Sequence, residues 1–234
     1  DAEAHFRLIE KRQHLTIPRE HIAGFEPTEA PAPASSTDPQ GTGGIKGKRP
    51  SKKDKLRAAA EALVQMAERD PLTNLYNRRR FHEELERMIA DASRRHTQLG
   101  LLLFDLDGFK PVNDRHGHQA GDQVLMKLAR EVGAVVRRNE IFFRLGGDEF
   151  GVLAPDTDEQ AITGLARRIG ERVSGMNFEF DGERAYVTVS TGIGIYPVHA
   201  STGEALLGAA DAAMYAAKND GKNAFRMYER RHGT

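Results

Sequence analysis

The stretch "RLGGDEFGVL", Arg144 to Leu153, decides how this chain folds. The apolar runs "EIFFRL" (140–145) and "FGVLAP" (150–155) flank two glycines and two adjacent acids. Short runs rich in aromatic and branched residues on either side of glycine read as a β-hairpin, and strands joined so tightly run antiparallel. An ordinary tip would be Asn-Gly or Asp-Gly. A second glycine followed by two carboxylates suggests a turn that needs both unusual backbone angles and room for something to approach the backbone.

Upstream, "QLGLLLFDLD" (98–107) reads as a buried strand, Leu99 to Phe104, that ends in Asp105 and Asp107. Side chains two apart on a strand point to the same side. Carboxylates so placed suit a hard divalent cation such as Mg²⁺, which takes one or two acids plus phosphates and water. Asp-x-Asp at a strand end is equally a turn former or helix cap. If the hairpin tip lies beside this strand end, Asp105, Asp148 and Glu149 converge, and such charges repel unless a cation sits among them.

The rest of the pattern alternates helices and strands. "RRFHEELERMIADASRR" (79–95) places Phe81, Leu85, Met88, Ile89 and Ala92 on one helical face. "HQAGDQVLMKLAREVGAVVRR" (118–138), "DEQAITGLARRIGERVSG" (158–175) and "GEALLGAADAAMYAAKNDGKN" (203–223) read as further helices, and "AFRMY" (224–228) as a short last strand. "NFEFDGERAYVTVSTGIGIYP" (177–197) reads as two strands turning at Asp181-Gly182. Two hairpins among interleaved helices predict an α+β fold, a mostly antiparallel central sheet flanked by helices. Lys218 and Lys222 are four apart near a helix C-terminus, a spacing that sets both ammonium groups on one side, either to favour the helix dipole or to meet phosphate. His116 and His118 flank Gly117, but Mg²⁺ prefers oxygen, so capping or packing is expected of them.

Composition narrows the classes. Of 234 residues, 29% are charged and 39% hydrophobic, as in a soluble globular protein with linker attached. The formal net charge of zero gives no electrostatic reason to expect nucleic acid or an anionic membrane. The absence of cysteine removes disulfides, thiolate catalysis and zinc-thiolate sites. No apolar run approaches the roughly 18–20 residues that span a bilayer, so an intracellular, cytoplasmic protein with no membrane span is expected. Residues 1–25 read as a fragment of an upstream region with no assignable role. Residues 26–54, rich in Pro, Ala, Ser, Thr and Gly, read as a flexible linker with a basic end. Residues 55–69, "KLRAAAEALVQMAER", read as a helix. Leu56, Ala59, Leu63 and Met66 form a narrow stripe that would either dimerise or pack on its own domain.

"DPLTNLYNRRRF", "LLLFDLDGFKPVNDRHGHQAGDQVL", "RLGGDEFGVL", "VTVSTGIGIYP" and "ADAAMYAAKNDGKN" occur in this order. Together they resemble the diguanylate cyclase (GGDEF) family over about Asp70 to Tyr228, within a domain taken as 70–230. The resemblance implies a fold like the nucleotidyl cyclases and polymerase palms (ferredoxin-like). It implies that two GTP are condensed into cyclic di-GMP with release of pyrophosphate, in a homodimer of half-sites. Two Mg²⁺ per active site are implied, or Mn²⁺ in their place. By position, Asp105, the Leu106 carbonyl, Asp148 and Glu149 are the implied metal ligands, and Asp148 and Glu149 the implied catalytic pair. Which of the two acts as base stays open, because neighbouring acids titrate together. Asn113 and Asp122 are the implied guanine partners. Phe109, Lys110, Gly146, Gly147, Lys218 and Lys222 complete the implied substrate site. Lys222 stands where Arg is usual, and Arg137-x-x-Glu140 stands where the family's product-inhibition site has Arg-x-x-Asp. The other reading is a catalytically silent domain that binds GTP or cyclic di-GMP as a regulatory module. A further one is that this is the cyclase half of a protein that also degrades cyclic di-GMP.

Overall fold

The computed structural model describes residues 51–57 and 67–229. The expected upstream fragment, nearly all of the expected linker and residues 58–66 of the expected helix lie outside the described residues. Residues 52–57 are helical, starting three residues ahead of the expected boundary. The reason is a reciprocal cap: Asp54 N donates to Ser51 Oγ at 3.2 Å while Ser51 N donates to Asp54 Oδ2 at 2.9 Å. Leu56 is exposed there.

The domain is built from α1 (Arg78–Arg95), β1 (Leu99–Asp107), α2 (Phe109–His116), α3 (His118–Gly133), β2 (Ile141–Gly146), β3 (Glu149–Pro155), α4 (Glu159–Ser174), β4 (Phe178–Phe180), β5 (Glu183–Ala185), β6 (Thr188–Tyr196), α5 (Gly203–Asn219) and β7 (Phe225–Met227). The main sheet has the order β2-β3-β1-β6-β7, antiparallel except for the last pair. The α+β sheet expected from the two hairpin signals is what forms. The segment 177–197 differs from expectation, giving three strands where two were read. Asp181 (φ 52°) and Gly182 (φ 79°) do turn a hairpin, but β4 and β5 form a separate two-stranded sheet and β6 alone joins the main one.

β1 is central and buried on both faces. Its alternation feeds two cores: Leu102, Phe104 and Leu106 pack beneath α3 and α4, while Leu99, Leu101 and Leu103 pack beneath α1 and α5. Each such side chain contributes roughly 1.5–3 kcal/mol by leaving water. On β6 Gly192 and Gly194 face α5, and at Gly192 a Cβ would collide with backbone atoms of Ala210 and Met214. Glycine there lets α5 lie close enough to carry Lys218 to the end of β1. Asn77 caps α1 by accepting from Arg80 N at 3.1 Å, and Asp158 caps α4 by accepting from Ala161 N at 2.7 Å.

Candidate active site

The ends of β1 and β3 meet. Asp105 and Glu149 are paired across the two antiparallel strands, and Leu106 N donates to the Asp148 carbonyl at 3.2 Å. The hairpin tip is thereby fastened to the strand end, which meets the condition under which the sequence brings Asp105, Asp148 and Glu149 together. Gly146 (φ 148°) and Gly147 (φ 52°) sit at the tip with open space around both, so the turn requires their positive φ.

Two cations already touch the acids. Lys218 Nζ lies 3.0 Å from Asp105 Oδ1. Arg78 Nη2 lies 3.1 Å from Glu149 Oε2, and Arg78 Nε donates to the Leu145 carbonyl at 2.7 Å. Burial pushes the Asp105 carboxyl up, the Lys218 ammonium pulls it back, and the charges of Asp148 and Glu149 add to the rise. The net effect is a carboxyl that gives up its proton less readily than usual, in a place that favours added positive charge. Among the described residues no three His, Cys, Asp or Glu side chains already stand together as a metal cage. The donor set at the strand ends is nevertheless all oxygen, as hard divalent cations require.

The two acids of Asp-x-Asp are not equivalent. Asp107 is buried and its carboxylate accepts from Thr188 Oγ1 (2.9 Å), Ser190 Oγ (2.8 Å) and Asn223 N (3.1 Å). It ties β1 to β6 and to the turn after α5, which leaves Asp105 as the one open toward the site. Lys222 corrects the helical-spacing argument. Helix α5 ends at Asn219, and Gly221 (φ 108°) and Lys222 (φ 66°) turn the chain away, so Lys222 does not share a helical face with Lys218.

Gly108 (φ 83°) is the N-cap of helix α2, so Phe109 and Lys110 begin that helix directly after the end of β1. Phe109 leans on the core and Lys110 is exposed. Asn113 on α2 lies against Gly121 on α3, where any Cβ would collide with its Oδ1. That Oδ1 is buried and makes no hydrogen bond. Asp122, the next residue, is exposed. Arg137 and Glu140 close a tight turn in which Glu140 Oε2 accepts from Arg137 N at 2.6 Å. The Glu140 carboxylate thus caps its own turn. His116 is packed, its ring 5.4 Å from that of Phe180.

Sequence reasoning missed Arg78 and a second anchor of the tip. Arg144 Nη1 pairs with Asp70 Oδ1 at 2.9 Å, and its Nε and Nη2 donate to the Gly147 carbonyl at 3.0 and 2.8 Å. Burial opposes ionisation of Asp70, but hydrogen bonds from Thr73 and Arg144 outweigh it and hold its pKa below the ordinary value.

Fold and site together define a class: α+β domains whose acidic centre lies where a hairpin tip abuts the end of a central strand. The family model described as "Diguanylate cyclase, GGDEF domain" matches residues 67–224, and the chain belongs to that family. Diguanylate cyclase TpbB of Pseudomonas aeruginosa is 39% identical over 176 residues, covering 75% of this chain and 40% of that protein. The bifunctional diguanylate cyclase/cyclic di-GMP phosphodiesterase MucR of the same organism is 37% identical over 174 residues, covering 74% of this chain and 25% of that protein. The chain therefore spans well under half the length of these relatives. Among solved structures, the coiled coil and GGDEF domain of DgcB from Caulobacter crescentus in complex with c-di-GMP superposes with a TM-score of 0.71 at 32% identity. That match covers 75% of this chain and 93% of the other. Among the described residues no helix is long and apolar enough to cross a membrane.

Proposed function

We propose that this domain condenses two GTP into cyclic di-GMP with release of pyrophosphate, in a Mg²⁺-dependent reaction carried out by two copies, each holding one GTP. The observation that carries the reading is the pairing of Asp105 with Glu149 across β1 and β3, with Asp148 tied to Leu106 beside them. In this reading Asp105, Asp148, Glu149 and the Leu106 carbonyl hold the divalent ions. When bound, these ions neutralise phosphate charge and lower the pKa of the attacking ribose 3′-hydroxyl.

The chain's own groups do the rest. The N–H groups at Phe109 and Lys110, at the start of α2, face the triphosphate, where unsatisfied donors favour anions. Gly146 and Gly147 leave the tip bare for its approach. Lys218, which contacts Asp105, would supply positive charge to phosphate, and Lys222 would add a second point charge without the fork of an arginine. The orphaned amide of Asn113 and the exposed carboxylate of Asp122 take the guanine edge. Asp122 accepts from N1–H and N2–H and so rejects adenine, which lacks that pair of donors. Asp148 or Glu149 removes the proton. Arg137 clamps a phosphate of the product, and Glu140 supports it less directly than Asp would.

The test is purified protein incubated with GTP and Mg²⁺, followed by chromatographic separation of nucleotides. Cyclic di-GMP is the expected product. Its absence from protein shown to be dimeric favours the silent, nucleotide-binding reading. Asp148→Ala should abolish turnover with the fold intact.

A further inference from the structure

A cavity of about 370 Å³ opens between α1 and α5, directly beside Glu149. Its floor is apolar, made by Phe81, Leu103, Leu145, Phe150 and Met214. Resting on the two-copy reading above, we propose that this face is where two copies of the chain meet, with Tyr215 of each copy entering the cavity of the other.

Three observations point to a second copy as the occupant. First, the hole and a matching knob lie on one surface. Glu204, Gly208 and Asp211 line the cavity from α5, and Tyr215 extends the same stripe at the spacing of helical neighbours. Tyr215 is 66% exposed, and among the large apolar side chains exposed in the described residues it alone belongs to a helix that lines the cavity. A knob and hole on one patch are what an isologous twofold contact needs.

Second, the charges match under the same symmetry. Glu204 and Asp211 on α5 have no ion pair among the described residues, and on the opposite rim α1 presents His82 beside Arg78, which is already paired with Glu149. A twofold axis brings the acids of one α5 toward the bases of the other α1. The tyrosine hydroxyl, which seeks a partner once buried, finds the rim carboxylates.

Third, the surface is continuous with the acidic centre. Glu149 and Arg78 form one wall of the cavity, and three residues beyond Tyr215 on α5 Lys218 contacts Asp105. Joining two nucleotides into a twofold-symmetric product requires two such centres to face each other, and this surface adjoins the centre on the α1–α5 side.

The chain contains no cysteine, so introduced ones report cleanly. Leu207 also lines the cavity that Tyr215 of the other copy would enter, and a Leu207→Cys/Tyr215→Cys double variant carries thiols eight residues apart on one helix, about 12 Å. That exceeds the roughly 7 Å Cα separation a disulfide tolerates, so a bond between the two introduced thiols can only join two copies. With Mg²⁺ and a non-hydrolysable GTP analogue, mild oxidation should convert the double variant to covalent dimer and leave each single variant monomeric on a non-reducing gel. No dimer from the double variant, or equal dimer from a single one, overturns the proposal. Tyr215→Ala should keep GTP-analogue binding within twofold of wild type while cutting turnover more than tenfold. Full turnover by that variant also overturns it. Cross-linking needs no turnover, so a double variant that cross-links as described, alongside wild-type protein that makes no cyclic di-GMP, would sink the activity and leave the surface standing.

Discussion

Asp105 and Glu149 face each other across the β1–β3 ladder, each held by a cation from a different helix: Lys218 of α5 for the first, Arg78 of α1 for the second. The domain thus folds with its acidic centre partly neutralised from both sides. Asp105 still carries a raised pKa, because burial and the neighbouring acids outweigh Lys218. An ionised Asp105 is therefore a net cost to the metal-free fold. Asp105→Asn should abolish cyclic di-GMP formation yet raise the melting temperature in metal-free buffer at pH 7, by about 2–4 °C per kcal/mol relieved. A lower melting temperature for the variant would show that Asp105 is a structural partner of Lys218 first.

The Arg144–Asp70 pair makes a pH prediction of definite sign. The folded pKa of Asp70 lies below the ordinary value of 3.8, so its contribution to stability is complete above that value. It is lost as pH falls from there through the folded pKa. Asp70→Asn should lower stability at pH 7 by about 1–3 kcal/mol, the range for losing a part-buried charged hydrogen bond. It should also flatten the fall in stability below pH 4. Urea denaturation at pH 7 and at pH 3.5 checks both, and an unchanged slope below pH 4 would contradict the assignment.

Gly192→Ala sets a Cβ against the backbone of Ala210 and Met214, atoms that cannot swing aside. The overpacking cost is about 1–3 kcal/mol or more. Because the same helix carries Lys218, turnover should fall along with stability. By contrast, Gly208→Ala, where a Cβ meets open space, should leave stability unchanged or slightly raised. Equal behaviour of the two variants in thermal melts would contradict the close α5–β6 approach.

Much of the fold was written locally. The apolar run Leu99–Phe104 reads as a buried strand and the runs at 140–145 and 150–155 as a hairpin, so the sheet was legible, while the acidic edge followed only if tip and strand end lay side by side, as they do. What was not legible depends on partners far away in sequence. Asp105 and Asp107 sit in the same local text, and only the hydrogen bonds that Asp107 accepts from Thr188 and Ser190 of β6 tell the two carboxylates apart. Arg78 is one of three consecutive arginines, and nothing in that run shows which one reaches Glu149. Lys222 was misplaced by extending a helical spacing past Gly221, a glycine that marks the end of the helix.

The Asn113–Gly121 contact sets the last expectation, which concerns base choice. Asn113 lies in close contact with Gly121 of α3, with its Oδ1 buried and unpaired, so an amide acceptor stands there without a protein partner. Asp122 is exposed, so under the proposed function it would act by charge and acceptor capacity alone. The two should therefore fail differently. Asn113→Ala opens a gap and removes an amide, and should weaken GTP-analogue binding by about tenfold to a hundredfold, a cost of about 1–3 kcal/mol. Asp122→Asn keeps the shape but replaces an acceptor with a donor toward guanine N1–H. It should weaken GTP by a similar factor while leaving the already weak binding of ATP unchanged or improved, narrowing the GTP-to-ATP ratio. Equilibrium binding of both nucleotides to both variants, with melting temperatures as a control for folding, separates these outcomes. A ratio unchanged by Asp122→Asn would remove that residue from guanine recognition.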